Sequence, residues 1–183
     1  MRRLLKPHPD SRGLAALRVE ADVAYPRADR LVLSYVVTGK ISDIRLPPAR
    51  PAARTDELWQ HTCFEAFVRA SSGPSYYEFN FAPSTQWAAY RFDSYRNGMR
   101  AAEIGAPQIE VRSGHDSYTL RAALELDRVP DLTREASWHL GLSALIEDQN
   151  GGMSYWALAH PPGKPDFHHA DGFALEFAPA VPS

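Results

Sequence analysis

Polar and apolar residues alternate with a period of two along most of this chain. Leu17, Val19, Ala21 and Val23 are interleaved with Arg18, Glu20 and Asp22, and Leu31, Leu33, Tyr35 and Val37 continue the pattern. Tyr118, Leu120, Ala122, Leu124 and Leu126 form a third run and Trp138, Leu140, Leu142, Ala144 and Ile146 a fourth. Phe173, Leu175 and Phe177 follow near the end. An extended backbone turns alternate side chains to opposite sides, so each run predicts a strand with one face buried. Gly-containing links separate the runs: Ser71-Ser72-Gly73-Pro74, Ser113-Gly114-His115-Asp116 and Asp148-Gln149-Asn150-Gly151-Gly152. Short links of this kind suit hairpins. About nine or ten strands are expected, with one short helical turn over Asp131 to Ala136. Many short strands and little helix predict an all-β antiparallel sandwich, Ig-like or jelly-roll-like in form. Leu46 to Ala53 and Ala159 to Pro165 are Pro-rich but short and read as surface loops. One domain over 1–183 is therefore expected, with 1–12 a loose N-terminal segment.

Residues 59–92 break the clean alternation, because rings and polar groups share faces. In a strand over 59–68, Trp59, His61, Cys63, Glu65 and Phe67 share one side. Over 76–82, Tyr77, Phe79 and Phe81 oppose Tyr76, Glu78, Asn80 and Ala82; over 87–92, Trp87, Ala89 and Arg91 oppose Ala88, Tyr90 and Phe92. Stacked as an antiparallel meander, the block is expected to put Phe64, Tyr77, Phe79, Phe81, Tyr90 and Phe92 toward the core. His61, Glu65, Glu78, Asn80, Trp87 and Arg91 are left on the opposite surface. Phe67 fits neither group and is expected beneath a loop. A face with carboxylates, an amide, a guanidinium and an indole suits a polyhydroxylated ligand, whose hydroxyls pair with the polar groups while its C–H face lies on a ring. The competing reading makes Glu65 and Arg91 a cross-strand ion pair with a purely structural role.

Composition narrows the function classes. Hydrophobic residues make up 44% and charged residues 23% of the 183, as in ordinary soluble globular proteins. Twenty basic against 22 acidic residues leave a net charge of −2, without the basic footprint of a nucleic-acid binder. No apolar run approaches the roughly 20 residues of a membrane helix. The start MRRLLKPHPD resembles a signal peptide but loses its apolar stretch at Lys6-Pro7-His8, and the one Cys cannot form an internal disulfide. Both observations lead to the expectation of a cytoplasmic protein.

The block Leu58-Trp59-Gln60-His61-Thr62-Cys63-Phe64-Glu65-Ala66-Phe67, then Tyr77-Glu78-Phe79-Asn80-Phe81-Ala82-Pro83 and Gln86-Trp87-Ala88-Ala89-Tyr90-Arg91-Phe92, resembles the bacterial DOMON-like proteins. Gly141 to Glu147, Tyr155 to Leu158, Asp166-Phe167-His168-His169 and Phe173 are similar to the second half of that pattern, so the resemblance spans roughly 30–178. That group is related to the family-nine carbohydrate-binding modules and to haem- and sugar-binding DOMON domains. The resemblance implies a β-sandwich of about ten strands with a ligand site on one sheet or its rim. In the sugar-binding modules two aromatic plates hold the sugar, and by position the candidates here are Trp59 and Trp156.

Other chemistries draw on the same residues. The DOMON resemblance implies haem between a Met and a His, for which the chain offers Met99 or Met153 with His168 or His61. His160, His168, His169 and Asp171 are candidates for a transition metal, and Glu147, Asp148 and Asn150 for calcium. His61, Cys63 and Glu65 fall on one strand face in an order suited to thiol chemistry. Same-face neighbours lie about 6.5–7 Å apart, too far for a direct thiol–imidazole bond. Glu65 and Glu78 would serve a glycosidase if their carboxyls lay about 5–10 Å apart. No nucleotide loop, zinc motif or nucleophile elbow is present. The expectation is a non-catalytic module for a carbohydrate-like small molecule, without metal or cofactor. Trp59, Trp87 and Trp156 would supply ring contacts, and Glu65, Asn80, Arg91 and His168 polar ones. A glycan hydrolase using the Glu pair and a haem protein are the alternatives.

Overall fold

The structure, a computed structural model, describes residues 2–11, 16–27, 29–129, 131–132 and 137–177. Among these are thirteen strands and three single 3-10 turns. The strands are β1 (Arg3–Leu4), β2 (Lys6–Pro7), β3 (Arg18–Arg27), β4 (Arg30–Thr38), β5 (Cys63–Ala70), β6 (Tyr76–Phe81) and β7 (Trp87–Phe92). They continue with β8 (Arg100–Ala101), β9 (Gln108–Ser113), β10 (Ser117–Glu125), β11 (Trp138–Glu147), β12 (Met153–Ala157) and β13 (Leu175–Phe177). The helical turn expected over 131–136 falls largely outside the described residues.

Two antiparallel sheets form the sandwich. One is ordered β1-β3-β4-β10-β9 and the other β2-β12-β11-β5-β6-β7-β8, with β13 also paired to β11. Alternate residues from each sheet meet between them. Val19, Leu33, Tyr35, Leu120 and Leu124 come from the first; Phe64, Val68, Phe79, Leu140 and Ile146 come from the second. The Tyr35 hydroxyl crosses the core and donates to the Glu65 carbonyl at 2.6 Å.

The sheets differ in what covers their outer faces. The first sheet keeps one wet face, and from Leu33 to Val37 β4 alternates between buried and half-buried positions as its sequence predicts. In the second, every residue of β6 and the first six of β5 are buried. A second apolar cluster on that outer face includes Cys63, Phe67, Tyr76, Tyr90, Phe92, Leu145 and Phe173. Strands buried on both faces lose the contrast that produces alternation. Gly141 shows how tightly the cover sits: a Cβ there would lie 2.9 Å from the Gly172 carbonyl oxygen.

The N-terminal segment expected to be loose is instead built into the fold. β1 pairs with β3 in one sheet and β2 with β12 in the other. Between them Leu5 is 1% exposed and its N–H donates to Val19 O at 2.9 Å. Two residues of strand on either side of one apolar plug carry too little periodicity to be read as strands.

Candidate ligand-binding site

Register decides which side chains of β5, β6 and β7 share a face. Glu65 pairs with Asn80, Phe67 with Glu78, Asn80 with Ala88, Glu78 with Tyr90, and Tyr76 with Phe92. All of these face away from the inter-sheet core. Phe64, Phe81 and Trp87 form one row of the core face, and Val68, Tyr77 and Arg91 another. The expected positions of Phe64, Tyr77, Phe79 and Phe81 hold, and Phe67 does pack under a loop, its ring 5.0 Å from that of His168. Tyr90 and Phe92 are corrected to the outer face; they are buried there by the loops above.

Three expected site residues are displaced, Trp87 and Arg91 by this register and Trp156 by its place on β12. Trp87 is a core residue, 5% exposed, with the Arg54 guanidinium 4.5 Å over its ring. Arg91 stands on the core side near the end of β7, where its Nε and Nη2 donate to Asp131 Oδ2 at 3.1 and 2.9 Å. Trp156 is 4% exposed in the core and donates its indole N–H to Ser154 Oγ at 3.0 Å. None of the three is among the residues lining the cleft described below. His61 is also displaced. β5 begins at Cys63, after a 3-10 turn over Leu58–Gln60 entered by Glu57 at φ 61°. His61 therefore leaves the strand face and engages Glu147 through Nδ1 at 2.8 Å, in a separate groove beside Arg45.

The remaining residues meet. Trp59, Glu65, Glu78 and His168 line a cleft of about 360 Å³ on the outer face of the second sheet. Phe67, Phe92, Tyr155 and Phe167 supply further ring surface, and Leu145, Met99, Pro165 and Arg96 complete the lining. Trp59 is 37% exposed at the rim; Glu65 and Glu78 are 3% and 5% exposed at the floor. Asn80 lies fully buried between them and donates Nδ2–H to Glu78 Oε1 at 2.7 Å. Ser143 on β11 donates to Glu65 Oε2 at 3.4 Å.

Electrostatics in the cleft follow from burial. Desolvation, together with the neighbouring Glu78, pushes the Glu65 carboxyl well above its ordinary value. Desolvation raises Glu78 to about 7, against partial relief from Asn80 and Arg96. Burial, then the nearby Arg96, lower His168 to about 4, so its ring is neutral near pH 7. Tyr76 links these groups. Its hydroxyl oxygen accepts the Arg96 backbone N–H at 3.2 Å and lies 2.8 Å from His168 Nδ1. His168 Nε2 lies 3.7 Å from Glu78 Oε2, beyond hydrogen-bond reach.

Sequence reading missed Arg96, Tyr76, Phe92 and the rings of the 155–167 segment. Arg96 carried one signal: it precedes Asn97-Gly98, a turn pair, and takes the left-handed conformation at φ 52°. Its guanidinium then binds Asp166 at 2.8 Å.

The alternative chemistries find less. Met99 and His168 line one cleft, where His168 Nδ1 is hydrogen-bonded to the Tyr76 hydroxyl and Nε2 lies 3.7 Å from Glu78 Oε2. Asp148 Oδ1 accepts the Asn150 and Gly152 N–H groups at 2.7 and 2.8 Å, which closes the turn where calcium was considered. Among the described residues no group of three or more His, Cys, Asp or Glu is arranged to hold a metal. Cys63 is fully buried and His61 points elsewhere, so the thiol arrangement is not formed.

No family model and no curated protein sequence matches the chain. Solved structures do share its fold. A proposed carbohydrate-binding protein from Bacteroides uniformis ATCC 8492 superposes with a TM-score of 0.65 at 13% identity, over 94% of this chain and 83% of the other. A family-nine carbohydrate-binding module from Caldicellulosiruptor kristjanssonii, in complex with cellotriose, gives 0.52 at 10% identity over 87% and 74%. With glucose bound, that organism's family-nine module gives 0.49 at 11% identity over 87% and 76%. At these identities the likeness concerns the fold.

Proposed function

We propose that this chain is a DOMON-like carbohydrate-binding module that takes a small sugar in the outer-face cleft. One observation carries the reading: the buried carboxyls of Glu65 and Glu78 at the floor, with Asn80 behind them, lie beneath a rim of rings that includes the half-exposed Trp59. Paired hydrogen bonds from below and an aromatic plate at the side are what a pyranose requires. The fold shared with carbohydrate-binding proteins supports the same reading.

Intrinsic fluorescence tests it. Trp87, Trp138 and Trp156 are at most 5% exposed, so a sugar entering the cleft is reported by Trp59. Titration with mono- and disaccharides is expected to quench or shift that emission. Trp59→Ala should remove the signal and weaken binding roughly ten-fold or more, as loss of an aromatic anchor does. No change in emission and no rise in melting temperature with any sugar at tens of millimolar overturns the reading. Glu65 and Glu78 are diagonal neighbours, a relation that spaces residues about 7–8 Å apart and is compatible with a glycosidase pair. Hydrolysis of aryl glycosides by the wild type, lost in Glu65→Gln, would make the pair catalytic instead.

A further inference from the structure

With its carboxyls ionised, the floor of the cleft is rich in hydrogen-bond acceptors and short of donors. Glu65 and Glu78 are buried as diagonal neighbours on one face, and each receives one side-chain hydrogen bond, from Ser143 and Asn80 respectively. Behind them, outside the cleft lining, Asn80 Oδ1 is buried without a hydrogen-bond partner among the described residues. The positive group at the cleft wall, Arg96, is half-exposed and engaged with Asp166 at 2.8 Å. His168, at 3.7 Å from Glu78, is held neutral. Among the described residues no cation bonds to the two buried carboxyls, and burial outweighs the partial relief from Arg96 and favours their protonated forms. A primary ammonium has three donors and no acceptor, whereas a hydroxyl brings one donor and two lone pairs. The ammonium is the better complement to this floor.

We propose that the cleft takes ligands bearing a protonated primary amine, an amino sugar in preference to the neutral sugar, with the ammonium seated against Glu65 and Glu78. The ring contacts of such a ligand rest on the carbohydrate reading; the ammonium contacts do not. Binding exchanges the protons held on the carboxyls for the ligand's charge. Other titratable and charged groups facing the pair are Cys63 on β5, Tyr76 on β6, Tyr90 on β7, His168, and the Arg96–Asp166 pair from the flanking loops. Two of them, His168 and the Tyr76 hydroxyl, bond each other rather than the carboxyls.

Isothermal titration calorimetry at pH 7 decides the matter. The probes are glucosamine, glucose, N-acetylglucosamine, cyclohexylamine and cyclohexanol, each in two buffers of different ionisation enthalpy. Glucosamine is expected to bind about ten-fold or more tightly than glucose and N-acetylglucosamine, since it adds charge-assisted bonds to buried carboxylates. Proton release should accompany the amines and not the neutral sugars. Glu78→Gln, close in shape to the protonated acid, should bring the ratio near one. Glucose binding as tightly as glucosamine overturns the ammonium site and leaves the sugar reading. Cyclohexylamine binding with no sugar bound overturns the sugar reading and keeps the ammonium site. An amine preference that survives in Glu78→Gln also overturns the proposal, and binding by none of the probes overturns both readings. Should Glu78→Gln fail to fold, the wild-type ratio and its proton release decide by themselves.

Discussion

Glu78 and His168 pull the pH dependence of stability in opposite directions. Burial raises Glu78 from 4.5 to about 7, so between those values the folded chain keeps a proton that the unfolded chain has lost. Stability from this group is full below 4.5 and is lost as pH rises toward 7. Burial and Arg96 lower His168 from 6.5 to about 4, so there the unfolded chain takes the proton first, and stability is lost as pH falls from 6.5 toward 4. Each effect alone is about 3 kcal/mol, which makes them nearly cancel. Glu65, raised well above 4.5, adds a common decline with rising pH. The expected result is a steeper fall of melting temperature with rising pH in His168→Gln than in the wild type. Glu78→Gln should shift the slope the other way. Equal slopes in all three proteins, followed by calorimetry from pH 4 to 8, would contradict the assignment. None of this was legible in the sequence, since Phe167-His168-His169 sits in a loop and meets β6 only through the fold.

At the scale of elements, the short N-terminal strands and β11 depend on close approaches. Leu5 plugs the gap between the sheets, and Leu5→Ala is expected to cost about 2–5 kcal/mol, read by chemical denaturation. A loose segment would show almost no change. Gly141→Ala should cost about 1–3 kcal/mol because its Cβ would press on the backbone oxygen of Gly172 rather than on a movable side chain. The runs of β4, β10 and β11 were readable because each has an apolar and a more polar side along its length. β5 starts four residues later than its periodicity suggests. The turn over Leu58–Gln60 is set by a left-handed Glu57 that propensity does not announce.

At the scale of the whole molecule, the second sheet keeps the inter-sheet core and the cleft on opposite faces. Trp87 and Trp59 make the comparison direct. Trp87→Ala removes a core ring and should cost about 3–5 kcal/mol while leaving sugar affinity per folded molecule unchanged. Trp59→Ala should do the reverse, with melting temperature nearly constant and affinity reduced. Both are measured by calorimetry and ligand titration on the same preparations, and a loss of affinity in Trp87→Ala without unfolding would contradict the separation of faces.

Sequence alone determined the all-β character, most strands and the turns between them, because alternation and Gly-, Asn- or Pro-containing links act over a few residues. It also supplied Trp59, Glu65, Glu78, Asn80 and His168 as candidates. Only the tertiary structure decided which face of 59–92 holds the cleft. Alternation identifies a buried face by its contrast with a wet one. Here the loops over 93–99 and 158–174 cover the outer face, so Tyr90 and Phe92 are as buried as Phe79 and the contrast disappears. Cross-strand register, which pairs Asn80 with Ala88 and Tyr77 with Arg91, then sends Arg91 and Trp87 to the core side and leaves the carboxyls with the rings.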